Sequence, residues 1–149
     1  MKTFLEYTKL LTESLDSPYP YNWEEFDIET GVGHFNTDTG DTVHIDISQF
    51  NGKHHLEFTS DNSPDEFDMT NDHDGLRVFS TILQMIREYI GDFEEEMNML
   101  QFSASKTQGD RSTNRDRLYT RMIEKYLPSN WSVRSNDTST SRIFQLIKN

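Results

Sequence analysis

Two periods of apolar residues divide this chain. Near the start, Phe4, Tyr7 or Thr8, and Leu11 fall on one side of a helical turn, which predicts a short amphipathic helix running to about Glu13. Ser14 to Asn22 holds Pro18 and Pro20 among tyrosines and reads as an extended linker. From Trp23 the period changes to two. Trp23 to Glu29 predicts a strand, Thr30-Gly31 a turn, and Val32 to Asn36 a second strand ending in the turn Asp38-Thr39-Gly40-Asp41. Val43, Ile45 and Ile47 then alternate with Thr42, His44, Asp46 and Ser48, the pattern of a half-buried strand. Asn51-Gly52 is a strong two-residue hairpin signal, because both positions accept a positive φ. Leu56 and Phe58 lie on the return strand, which completes a four-strand antiparallel meander.

After the meander the period becomes helical. Leu76, Phe79, Ile82, Leu83, Ile86 and Ile90 form one apolar stripe, with Asp72 or Asp74 placed to cap its start and Gly91 its end. Asp92 to Glu96 is an acidic connector. Leu100, Phe102 and Ala104 mark a buried strand over Met99 to Ala104, and Lys106 to Arg111 a polar loop. Thr113, with Asp116 three residues on, opens a second helix whose core face is Leu118, Tyr119, Met122, Ile123 and Tyr126, and Pro128 stops it. Trp131 to Arg134 and Ile143 to Ile147 pair around the polar turn Ser135 to Ser141. The order predicts a single α+β domain over residues 23–149, with a mixed, mostly antiparallel sheet: a meander, then helix, strand, helix, strand, strand. A strand before and after the second long helix calls for a parallel or crossover element.

Composition sharpens this picture. Hydrophobic residues make up only 33% of 149 and mean hydropathy is −0.80, but 10 Phe, 6 Tyr and 2 Trp supply large apolar areas to a small core. That aromatic content argues against a disordered chain. With no cysteine, disulfides and thiolate metal sites are excluded. A net charge of −12 argues against direct nucleic-acid binding through a basic face. It fits a self-repelling acidic surface or, more sharply, an acidic decoy for a DNA-binding protein. No apolar run is long enough to span a membrane, and no apolar leader follows Met1, so a cytoplasmic location is expected.

Candidate chemistry is sparse. In the acidic segment Asp61 to Asp74, a calcium loop with Gly75 at its sixth position puts Thr70 and Thr81 where Asp and Glu are required, so the pattern fails. His34, His44, His54, His55 and His73 are scattered, although His44 and His54 or His55 are candidates to face each other across the Asn51-Gly52 hairpin. Without three converging ligands no metal is expected, and the imidazoles read as surface groups. Ser103 and Ser105 lack a nucleophile elbow, and Gly31-Val32-Gly33 sits in a hairpin rather than between a strand and a helix. Arg111, Arg115, Arg117 and Arg121 form a local basic cluster, suited to an anion or a partner's carboxylates or to balancing the acidic loops.

Three resemblances add to this reading. The order from Trp23 to Ile147 resembles the GNAT N-acetyltransferase superfamily, and Asn114-Arg115-Asp116-Arg117-Leu118-Tyr119 is similar to that family's Asn…Leu-Tyr pattern, shortened by roughly two residues. The resemblance implies that Asn114 contacts the coenzyme arm and that Tyr119 protonates the departing thiolate. The family's pyrophosphate loop falls on Asn71-Asp72-His73-Asp74-Gly75-Leu76-Arg77, where Gly75 is the one glycine and two carboxylates repel the anion that a helix start would otherwise hold. Tyr119 also reads as a core aromatic. Met1-Lys2-Thr3-Phe4-Leu5-Glu6-Tyr7 resembles the capsid-targeting peptides of internal head proteins of large contractile-tailed phages, and Leu11-Thr12-Glu13 fits their Leu/Ile-x-Glu processing site. The other reading is an ordinary N-terminal helix. Gly75, Arg77-Val78-Phe79-Ser80-Thr81, Phe102-Ser103-Ala104 and Leu118-Tyr119-Thr120-Arg121 are similar to a class of small phage proteins with no assigned activity. Together these imply a phage-encoded, non-catalytic protein. It would bind a phage head or host factor in the host cytoplasm or virion head, and need no cofactor. The alternatives are an acetyl-CoA-dependent N-acetyltransferase and an acidic DNA mimic or anti-host inhibitor.

Overall fold

Alternating residues build one seven-stranded sheet, and the helical stripes cover one of its faces. The computed structural model describes residues 18–61, 73–105, 113–137 and 141–149. Its elements are β1 (Tyr21–Phe26), β2 (Thr30–Asn36), β3 (Thr42–Phe50), β4 (Lys53–Ser60), α1 (His73–Phe93), β5 (Met99–Ser105), α2 (Thr113–Tyr126), β6 (Trp131–Asp137) and β7 (Ser141–Lys148). The strand order is β1-β2-β3-β4-β5-β7-β6. Every neighbouring pair is antiparallel except β4 and β5, which run parallel across the α1 crossover. β5 and β6 also share a direction across α2, with β7 inserted between them.

The period-two residues land as expected. Val43, Ile45 and Ile47 are buried while His44, Asp46 and Ser48 are exposed. Asn51 and Gly52 have φ of 53° and 76°, the left-handed pair that lets β3 return directly as β4. On the covered face, Phe79, Ile82, Leu83, Ile86 and Ile90 of α1 and Tyr119, Met122 and Ile123 of α2 join one core with Leu100, Phe102, Phe144 and Leu146. Phe79 links the layers, its ring centre 6.2 Å from Phe102 and 5.2 Å from Tyr119.

Several boundaries differ from the sequence expectation, each for a tertiary reason. Thr30-Gly31 belongs to β2, and the turn lies before it, where Asp27 Oδ1 accepts from the backbone N–H groups of Glu29 and Thr30. The expected linker is partly structured. Tyr21 and Asn22 are in β1, and Tyr19 is buried, stacked on Phe35, with its N–H donating to Thr81 Oγ1 at 2.8 Å. Arg77 completes that anchor, its guanidinium 3.8 Å from the Tyr19 ring centre and 2.8 Å from Asp38 Oδ2. The helix passes through Gly91 to Phe93, which packs on Phe26 and Tyr89 at 5.2 and 4.8 Å, so a side-chain contact extends it past the expected cap. Asp74 lies inside the first turn of α1, and Asp72 lies outside the described residues. The last two strands are longer than their apolar cores, because ladder bonds carry them through Asp137 and from Ser141.

Gly31 and Gly33 face α1. A Cβ on Gly33 would sit 2.6 Å from Met85 Cε and 2.8 Å from the Asn22 carbonyl oxygen, and one on Gly31 2.9 Å from Tyr89 Cε2. The Gly-x-Gly of β2 therefore admits the helix closely onto the sheet.

Candidate functional site

The parallel pair supplies the first candidate position. In an open sheet, the carboxyl ends of parallel strands form a crevice where ligands commonly bind. The β4/β5 ladder spans three rows among the described residues, from His54/Leu100 to Leu56/Phe102, although β4 continues to Ser60 and β5 to Ser105. Both helices follow these strand ends in the chain, so the topology brings the starts of α1 and α2 to this edge. Gly75 is the third residue of α1 and Asn114 the second of α2. The core beneath this edge is aromatic, with Phe58 6.3 Å from Phe102 between ring centres.

The candidate residues divide around this strand edge. Tyr119 is only 2% exposed and lies edge-on to Phe79, so its ring is part of the core. Arg115 and Arg117 lie in the first turns of α2, and Arg121 is exposed one turn beyond Arg117. Arg111, Leu11 and Glu13, with the rest of residues 1–17, lie outside the described residues. Ser103 is exposed on β5.

His34, His44 and His54 fall into two environments, and two expectations about the histidines are corrected. His44 does not face His54 or His55 across the hairpin. The register pairs His44 with Thr59, Ser48 with His55 and Gln49 with His54, because the two-residue turn fixes the β3/β4 alignment. His54 is not a surface imidazole, being fully buried. Its Nε2–H donates to the Ile28 carbonyl at 2.7 Å, and its Nδ1 is one of two buried polar side-chain atoms without a partner among the described residues, with Trp131 Nε1. Tyr89 donates its hydroxyl to the same turn, 2.6 Å from Asp27 O and 3.0 Å from Ile28 O. Burial first and the Asp27 carboxylate second push the Tyr89 phenol up to about 12. Tyr21 is also raised, by burial, then by its hydrogen bond to Glu88 and that carboxylate's charge. Glu88 additionally accepts from Trp23 Nε1 at 3.1 Å, so one α1 carboxylate holds two β1 rings.

On the open face, His34 and His44 are direct partners in the β2/β3 register, with ring centres 6.3 Å apart. His34 Nδ1–H donates to Glu24 Oε1, and His44 Nε2–H donates to Asp61 Oδ1 at 3.0 Å. Neither the five-histidine count nor their spacing along the chain signals this row. It follows only from the alignment of β2 with β3.

A hollow of about 280 Å³ lies at the end of α1, lined by Gly91 to Phe93 of the helix and by Glu94 to Glu96 after it. Lys148 Nζ donates to the Glu94 carbonyl there at 2.6 Å. No three His, Asp or Glu among the described residues are grouped to hold one metal ion, and no helix among them is long and apolar enough to cross a membrane.

No protein-family model, curated protein or solved structure matches this chain.

Proposed function

We propose that this chain is a phage-encoded, partner-binding protein on a GNAT-like scaffold that performs no acyl transfer. The burial of Tyr119 carries this reading. A general acid must reach the atom it protonates, and a ring 2% exposed against Phe79 has no open side for a departing thiolate. The sequence Asp72-His73-Asp74-Gly75 adds to it, because two carboxylates at the point where the family's glycine-rich loop falls would repel a pyrophosphate. Partner contact is assigned to Arg111, Arg115, Arg117 and Arg121, a basic cluster on a chain of net charge −12, which selects carboxylates on a protein rather than nucleic acid. The opening heptad addresses the protein to the phage head, with processing after Glu13. The pairing of Glu24 and Asp61 with imidazoles favours partner binding over DNA mimicry, since those carboxylates are engaged within the sheet face.

Acetyl-CoA titration tests the catalytic half. The expected result is an unchanged Tm at millimolar ligand, whereas binding at about a hundred times below that concentration would raise stability by ~2.7 kcal/mol and restore the N-acetyltransferase reading, with Asn114 and Tyr119 at its site. Intact-mass measurement of the protein from purified virions tests the packaging half. A chain beginning at Ser14 is expected, and one retaining Met1 ends that part of the proposal.

A further inference from the structure

We propose that His34 and His44 form a two-imidazole site for a borderline divalent transition metal such as Ni²⁺, Cu²⁺ or Zn²⁺, with Glu24 and Asp61 as its outer support. The β2/β3 register places the two histidines directly opposite each other on adjacent antiparallel strands. Such pairs hold their Cβ atoms about 5 Å apart, so both side chains rise from one patch of the sheet. The ring centres lie 6.3 Å apart with planes inclined by 39°. With metal–nitrogen bonds of about 2.1 Å, two imidazoles on one ion bring their ring centres to roughly 5–6 Å. The pair closes that difference by side-chain rotation, which is open to both rings, since the His34 and His44 side chains are 31% and 50% exposed.

The outer hydrogen bonds make this pair more than two neighbouring rings. Each imidazole gives one N–H to a carboxylate: His34 through Nδ1 to Glu24, and His44 through Nε2 to Asp61. A neutral imidazole whose N–H is donated keeps its lone pair on the other nitrogen, so His34 presents Nε2 and His44 presents Nδ1. Neither of those nitrogens has a partner among the described residues. Carboxylate-supported imidazoles are the ordinary arrangement at protein metal sites, where the carboxylate fixes the tautomer and raises ligand basicity. Two carboxylates beside the pair also offset the charge of an incoming dication. Imidazole nitrogen selects Ni²⁺, Cu²⁺ and Zn²⁺ over Mg²⁺ and Ca²⁺, which take oxygen. Two protein ligands leave the other coordination positions to water, so this is an open site of modest affinity, distinct from a closed structural zinc centre.

The test is calorimetric titration of the full chain, first treated with chelator, with NiCl2 and separately with MgCl2 at neutral pH. One Ni²⁺ per chain and no Mg²⁺ heat are expected. H34Q and H44Q should each weaken the Ni²⁺ isotherm at least tenfold, E24Q and D61N by about tenfold with both imidazoles intact. H55Q, on the same face beside Ser48, should leave it unchanged. Circular dichroism and Tm establish that each variant is folded. Wild-type Ni²⁺ affinity in folded H34Q and H44Q overturns the site. Wild-type affinity in E24Q and D61N overturns the supporting role given to the carboxylates.

Discussion

The two faces of the sheet use the same residue type to opposite ends. On the covered face His54 is sealed under Tyr89, with one nitrogen bonded to the Ile28 carbonyl and the other unpaired. On the open face His34 and His44 sit side by side in water, each tied to a carboxylate. Burial makes His54 a structural strut that holds a turn, because a polar ring taken out of water needs a hydrogen-bond partner. Exposure leaves its second nitrogen available for ligands. The covered face therefore carries stability and the open face carries chemistry, and substitutions separate the two.

The largest effect is expected at the centre of the covered face. Phe79 is fully buried among Phe102 and Tyr119, so Phe79→Ala should cost ~3–5 kcal/mol in urea unfolding. A loss below about 1 kcal/mol would show that the two helices do not share one core. Next is Gly33→Ala, which pushes a methyl onto the Asn22 carbonyl and Met85. Met85 has a flexible end that can give way, but the carbonyl belongs to β1, so ~1–3 kcal/mol is expected. Unchanged stability would mean that the β1 backbone at Asn22 yields to the added methyl.

Tyr89→Phe should cost ~1–2 kcal/mol by removing the hydroxyl that holds the Asp27–Ile28 turn. It should also change the alkaline limb. The folded phenol titrates near 12 against 10 for an ordinary tyrosine. Its contribution is therefore fully present below pH 10 and is lost as pH rises toward 12, because only the unfolded chain ionises in that window. Unfolding midpoints measured across that window should fall less steeply in Tyr89→Phe than in the parent, and parallel curves would contradict the assignment. The smallest effect belongs to the open face, where H34Q and H44Q should each move stability by no more than ~0.5 kcal/mol. A large loss there would make the histidine row structural, and the contrast between the faces would disappear.

Local pattern determined the covered face. Alternation at Val43, Ile45 and Ile47 and the helical stripe through Phe79, Ile82 and Ile86 name the core, because burying apolar area is the dominant favourable term and local spacing sets which apolar residues share a face. The Asn51-Gly52 turn was equally legible, since its backbone requirement is local. Tertiary structure decided the rest. Gly91 stayed inside α1 because Phe93 found Phe26, and Tyr19 left the linker because Phe35 and Arg77 received its ring. The β2 glycines read as hairpin residues, but what requires them is the approach of Met85 and Tyr89 from a distant helix. The histidine row was invisible for the same reason. Ten residues separate His34 from His44, and only the register between β2 and β3, with Glu24 on β1 and Asp61 after β4, makes them neighbours. Sequence patterning reports which residues leave water; register and packing decide which of those left in water meet.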